Sequence, residues 1–147
     1  MKGPVLAVDH GTKRTGFATT DPMRIATRPL EVWKGAGNSA ELVEYTAKLT
    51  REREATHLIV GFPLHMDGAE GGRAKDVQTF VDALAKALPD VCIVKQDERL
   101  STKAAEALLK EAGHFGDERK ARRDSWSALV ILRDWIESGE PESPPLQ

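Results

Sequence analysis

Three short runs constrain the fold more than anything else in this sequence. Val5-Leu-Ala-Val8, the Leu58-Ile-Val60 centre of His57–Phe62, and Val91-Cys-Ile-Val94 are apolar without polar alternation. A strand with one wet face alternates, whereas a strand covered on both faces does not, and that second condition belongs to parallel strands flanked by helices. Segments of helical period separate these runs. Asn38, an N-cap with Glu41 three positions on, starts one helix that sets Leu42, Tyr45, Thr46 and Leu49 on a common face. Another runs from after Gly72 through Leu88, with Val77, Phe80, Val81 and Leu84 inward. Ser101 caps a third through about Ala112, broken by Gly113 and Gly116, and a last helix spans about Arg122 to Glu137. Thr15–Thr20 and Pro29–Trp33 read as two further strands, and their short links to the first make an antiparallel meander. The expected class is α/β: one five-stranded mixed sheet, three antiparallel strands followed by alternating helix and strand, with helices on both faces. Residues 1–138 are read as one domain and residues 139–147, with three prolines, as a flexible tail.

A chain of 147 residues buries enough surface to fold without staples. Its formal charge of −2 excludes a generally basic nucleic-acid binder but not local clusters, and Arg119, Lys120, Arg122 and Arg123 put four cations in five positions. Cys92, the sole cysteine, excludes an intrachain disulfide and a multi-cysteine zinc site, and its apolar neighbours read it as a small buried hydrophobe. No signal segment or long apolar run is present, so a cytoplasmic protein without a membrane partner is expected.

Three places put a carboxylate at the end of a strand or helix. Asp9 closes the first strand and enters a glycine turn followed by Lys13, Arg14 and Gly16; Asp97 and Glu98 follow the fifth strand; Asp124 opens the last helix. Asp124 shares a stripe with Ala128, Ile131, Leu132 and Trp135, so it faces the sheet, where an acid must be paired, hydrogen-bonded or bound to a metal. A plainer role for Asp124 is to complement the dipole at the helix start, and for Asp9 to bond the amides of its own turn. Parallel strands carry functional residues at their carboxyl ends, and Asp9, residues 62–65 and Asp97-Glu98 all fall there. His10, on the face opposite Asp9, reads as a solvent-facing turn residue or as a base or phosphate contact.

Four blocks resemble the YqgF/RuvX family of RNase H-like nucleases related to Holliday-junction resolvases: Val8-Asp-His-Gly-Thr-Lys-Arg-Thr-Gly16, Ile59-Val-Gly-Phe-Pro-Leu-His-Met-Asp-Gly68, Asp97-Glu-Arg-Leu-Ser-Thr102 and Asp124-Ser-Trp-Ser-Ala-Leu-Val-Ile-Leu132. The resemblance implies an RNase H-like fold and an acidic metal site on Asp9, the acid after strand five, and Asp124. Glu98 is taken as the second acid, with Asp97 as the alternative and Asp67 behind it, because related resolvases draw theirs from the end of strand four, which here reads Phe-Pro-Leu-His. His65 and Ser127 stand where the family often has Asn and Ala.

Carboxylate oxygens without cysteine suit Mg²⁺ or Mn²⁺. Two such ions, about 3.5 to 4 Å apart, activate a water and stabilise the leaving oxygen of a phosphodiester. In that scheme Asp9 bridges both ions while Glu98 and Asp124 each complete one shell. Lys13, Arg14, Arg99, Lys120, Arg122 and Arg123 form a track for flanking phosphates. The resemblance implies processing of the 5′ end of precursor 16S rRNA, with a pre-ribosomal particle as partner. The alternatives are a four-way DNA junction, which favours a homodimer over a monomer, and an RNA- or DNA-binding module that does not cut. Asp9-His-Gly-Thr with Gly16 also resembles the first phosphate loop of sugar kinases and actin-like ATPases, but those close two such domains around a nucleotide and this chain supplies one.

Overall fold

The structure, a computed structural model, describes residues 2–63, 72–98 and 101–142, with backbone alone for residues 101 and 102. Its elements run β1 (Val5–Asp9), β2 (Arg14–Thr20), β3 (Thr27–Pro29), β4 (Trp33–Lys34), α1 (Ala40–Glu52), β5 (His57–Phe62), α2 (Gly72–Ala87), β6 (Cys92–Asp97), α3 (Ser101–Glu111) and α4 (Gly116–Glu137). The sheet order is β3-β2-β1-β5-β6, with β4 also paired to β2. The β1–β2, β2–β3 and β2–β4 pairs are antiparallel, and β1–β5 and β5–β6 are parallel. The mixed sheet is therefore the one expected, except that it has six strands. The single third strand expected over Pro29–Trp33 is two short ones. Leu30 still donates to the Phe17 carbonyl at 2.8 Å, but the next pairing is Trp33 with Thr15. The register slips by one residue between the Ala18–Pro29 and Thr15–Trp33 pairings, so an extra residue bulges out between β3 and β4.

Alternation along the strands sorts the core into two layers. Leu6, Val8, Phe17, Leu58, Val60 and Phe62 pack against Leu42 and Ala47 of α1 and Val77, Phe80 and Leu84 of α2. Val5, Ala7, Ala18, Ile59 and Val94 pack against Ala128, Leu129, Ile131, Leu132 and Trp135 of α4. The period of two then fixes where the strand-end residues point. Asp9 continues the Val5 and Ala7 row toward α4, and His10 falls on the α1/α2 side.

Several helix boundaries differ from those expected. Ser39, not Asn38, caps α1, its Oγ accepting from the Leu42 amide at 3.3 Å. The largest correction concerns α4, which starts at Gly116 rather than near Arg122. Its first turns carry Asp117, Glu118, Arg119 and Lys120, a charged stretch with no apolar period to reveal it. Asp124 therefore sits inside the helix, beyond the reach of the terminal dipole, which falls off within the first turn. The segment after α4 turns back onto the body. Glu140 pairs with Arg24 at 3.0 Å and Lys2 at 3.3 Å, and the Trp135 indole donates to the Pro141 carbonyl at 2.8 Å. Residues 143–147 of the expected tail lie outside the described residues. Among the described residues no helix is long and apolar enough to cross a membrane.

Candidate metal centre

The carboxyl edge of the sheet gathers three acids on the α4 face. β1 delivers Asp9. β5 runs beside it with Val8 opposite Val60, so Gly61 is the next residue on the neighbouring strand. A Cβ on Gly61 would stand 2.5 Å from Ile131 Cδ1 and 2.7 Å from Glu98 Oε2. The missing side chain on β5 is thus the space through which Glu98, just beyond β6, reaches across to Asp9. Glycine inside an otherwise apolar strand marks this kind of close approach. Glu98 is fixed at its backbone by donation from its amide to the Phe62 carbonyl at 3.3 Å. Asp97, one residue earlier, alternates to the other face, as does Lys95, which lies 4.7 Å over the Phe62 ring and bonds Gln78 of α2 at 2.8 Å.

α4 brings the third acid by an equally close approach. A Cβ on Gly16 of β2 would lie 2.0 Å from the Asp124 carbonyl oxygen and 2.5 Å from the Ser125 nitrogen, and the Phe17 amide donates to Ser125 Oγ at 3.1 Å. Backbone meets backbone here, which sets Asp124 over the start of β2. Its Oδ2 accepts from Arg14 Nε at 2.9 Å. Arg14 is 46% exposed, and an ion pair so open to water contributes less than about 1 kcal/mol. The carboxylate is held but readily surrendered.

The electrostatics follow from crowding. Burial, then the Glu98 charge and a side-chain hydrogen bond with Glu98, then the Asp124 charge, push the Asp9 carboxyl well above the usual carboxylate range. Burial also raises Glu98, while its hydrogen bond with Asp9 and the nearby Arg73 guanidinium pull the other way. The hydrogen bond between the two carboxyls raises Asp9 and lowers Glu98, so a proton placed between them favours Asp9. A divalent ion relieves the same crowding without a proton. Carboxylate oxygens crowded at this buried edge fit Mg²⁺ or Mn²⁺.

Among the described residues, the trio whose ligand atoms all lie within 4.8 Å of one another is a different one, His57, Cys92 and Glu142. The three acids are spread wider than this. The trio occupies the amino end of β5 and β6, away from Asp9. Arg24 Nη2 lies 3.2 Å from His57 Nδ1, and His57 Nε2 lies 2.9 Å from Glu142 Oε2. A guanidinium only donates, so Nδ1 accepts and Nε2 carries its hydrogen to Glu142. Neither nitrogen has a lone pair left for a metal, and the trio ties the C-terminal segment down. Cys92 is half-buried at that tie rather than fully enclosed, and burial raises its thiol.

The other residues singled out in the sequence are scattered. Lys13 is exposed in the β1–β2 turn and Lys120 is exposed one helical turn before Asp124. Arg122 pairs with Glu118 at 3.7 Å and Arg123 with Glu106 of α3 at 3.5 Å. Arg99, His65 and Asp67 lie outside the described residues. Trp33 is half-buried and faces Tyr45 with ring centres 6.2 Å apart.

Two residues carry more than the sequence revealed. His10 is 5% exposed, not a solvent-facing turn residue. Its Nε2 lies 2.8 Å from the Gly37 carbonyl and its ring 4.7 Å from Phe80. Arg73, in the first turn of α2, donates to the His10 carbonyl at 2.7 Å and lies 3.1 Å from His10 Nδ1. That fixes the imidazole as the Nε2–H tautomer, and burial lowers its pKa. No local pattern distinguishes Arg73 from the other surface cations of its helix; its place directly after the Gly71-Gly72 pair was the only signal.

The chain is similar to known proteins along almost its whole length. The sequence model of the RuvX family, described as Holliday junction resolvase, matches residues 3–138. A relative from Roseiflexus sp. (strain RS-1), named "Putative pre-16S rRNA nuclease", is 39% identical over 136 residues, covering 92% of this chain and 95% of the relative. One of the same name from Anaeromyxobacter sp. (strain Fw109-5) is 39% identical over 132 residues, covering 90% and 95%. Among solved structures, T. thermophilus RuvC in complex with a Holliday junction substrate superposes with a TM-score of 0.60 at 14% identity, covering 94% of this chain and 97% of that one. The fowlpox virus Holliday junction resolvase gives 0.56 at 12% identity, covering 92% and 99%. At such identities the likeness is one of fold, the RNase H-like fold. With the family match running unbroken from β1 through α4, the chain belongs to the RuvX family.

Proposed function

We propose that this protein is a divalent-metal-dependent nuclease that processes the 5′ end of precursor 16S rRNA. The observation that carries the reading is the convergence of Asp9, Glu98 and Asp124 on the α4 face of one sheet edge, with two glycines cleared to let them meet. Asp9, Glu98 and Asp124 would hold Mg²⁺ or Mn²⁺, which supply an activated water and charge stabilisation at the leaving oxygen. Asp9 would hold the ion beside Glu98, whose amide, donating to the Phe62 carbonyl, keeps its carboxylate near Asp9. Asp124, held only by an exposed pair with Arg14, would be free to take part in the site. Arg14, with exposed Lys13 and Lys120, would contact substrate phosphates. Arg122 and Arg123, both in α4, would add to these contacts.

The choice of RNA rests on the names of relatives at 39% identity over nine-tenths of the chain. Such a substrate makes a pre-ribosomal particle the natural partner and the cytoplasm the place of action. The family model's description favours a second reading, the cutting of a four-way DNA junction, which requires a twofold dimer for symmetric cuts. Labelled precursor leader RNA, single-stranded DNA and a four-way junction, incubated side by side with Mn²⁺ and Mg²⁺, separate the two. The leader RNA is expected to be cut at least tenfold faster than either DNA. Preferential cutting of the junction by a dimer transfers the function to recombination.

A further inference from the structure

A cavity of about 630 Å³ opens between α1 and α2, on the face of the sheet opposite the acids but at the same end. Its volume lies within the range of roughly 300–1,000 Å³ typical of small-molecule sites. Val43, Phe80 and Ala83 supply apolar wall, and its charged lining is Arg73, Asp76 and Glu44. Two carboxylates against one guanidinium exclude a phosphate from the interior, because an anion there meets a net negative lining. A flat, neutral ring with amino donors suits the same surroundings, with apolar contact on its faces and carboxylate acceptors at the rim.

Arg73 joins this cavity to the acids. It lines the cavity, its Nη2 donates to the carbonyl of His10, the residue after Asp9, and its Nη1 is held only by an exposed Asp76 carboxylate at 3.3 Å. A strand whose phosphates cross the acid edge can therefore drop one base over that edge into the cavity. We propose that the cavity receives a single unpaired, amino-bearing nucleobase of the bound strand, next to the bond that is cut, with Arg73 holding the backbone at the crossing. The proposal rests on the nuclease reading above and adds a requirement to it: one nucleotide beside the cut must be unstacked, which selects single-stranded or frayed substrate over continuous duplex.

The test is a scan of abasic substitutions along single-stranded leader RNA, with binding read by fluorescence anisotropy in the Asp9→Asn background so that the strand stays intact. One position is expected where loss of the base weakens binding about tenfold, the usual order for a base held by side chains. Replacing an amino-bearing base there by its deaminated counterpart should weaken binding several-fold. Filling the cavity with Ala83→Leu or, from the exposed rim, Thr79→Trp should lower affinity for intact RNA by a similar factor and flatten the abasic profile, because the two losses share one contact. Circular dichroism checks that the variants fold. A flat profile in the unfilled protein, or a folded, filled variant that binds like it, overturns the base pocket while leaving the nuclease intact. No binding to any of these RNAs removes the nuclease reading and the pocket together.

Discussion

Asp9→Asn is expected to make the metal-free protein more stable at pH 8 and deaf to Mn²⁺. Burial and the Glu98 and Asp124 charges raise the Asp9 carboxyl well above its unfolded value near 3.8. A group whose folded pKa is raised binds its proton more tightly in the folded state. Its stabilising contribution is complete below the unfolded pKa and is lost as pH rises toward the folded one. Between about pH 4 and that raised value the wild type loses up to about 1.4 kcal/mol per pH unit from this group. Asparagine keeps the shape and a donor toward Glu98 and has no proton to lose. Differential scanning fluorimetry from pH 4 to 8 should show the two proteins converging near pH 4 and the variant melting several degrees higher at pH 8, at about 2–4 °C per kcal/mol for a chain of this size. Saturating Mn²⁺ should raise the wild-type midpoint most at pH 8 and barely move the variant. Equal midpoints at pH 8 without metal would mean that the acids are not crowded as described.

Gly16→Ala is expected to cost more than any surface substitution and to damage the site from a distance. The added methyl would sit 2.0 Å from the Asp124 carbonyl oxygen and 2.1 Å from its carbon, and both belong to helix backbone that cannot rotate away. Relief requires α4 to shift off β2, opening the layer that buries Leu129, Ile131, Leu132 and Trp135. Overpacking of this kind costs about 1–3 kcal/mol, and more when backbone must move. The midpoint should fall by about 5 °C or more, with a weakened Mn²⁺ response because Asp124 moves with its helix. Gly72→Ala, where an added Cβ meets nothing within 4 Å, is the control and should leave both unchanged.

How much of this was legible in the sequence depends on whether a residue's position follows from a local period. The two-layer core did follow, because unalternated strands and amphipathic helices state their faces directly. Asp124 was legible for the same reason: its stripe with Ala128, Ile131 and Trp135 fixes its face wherever the helix starts. The start itself was not, since the charged residues 116–121 project from the core and carry no apolar rhythm. The polar Lys95-Gln96-Asp97 hid the end of β6, and with it the alternation that sends Glu98 toward α4 and Asp97 away. Arg73 and the burial of His10 lay furthest from view. Both depend on α2 and the β1–β2 turn meeting across more than sixty residues of chain, and one surface cation among the others of its helix announces no partner.

The measurement that bears most directly on the account is cleavage of labelled precursor leader RNA by wild type and folded Asp9→Asn, each with Mn²⁺ and with EDTA. The account predicts cutting by the wild type with Mn²⁺ alone, and a loss of at least a hundredfold in the variant with RNA binding retained. Cutting that survives EDTA or the substitution, or wild-type binding without any cutting, would contradict a metal centre built on Asp9.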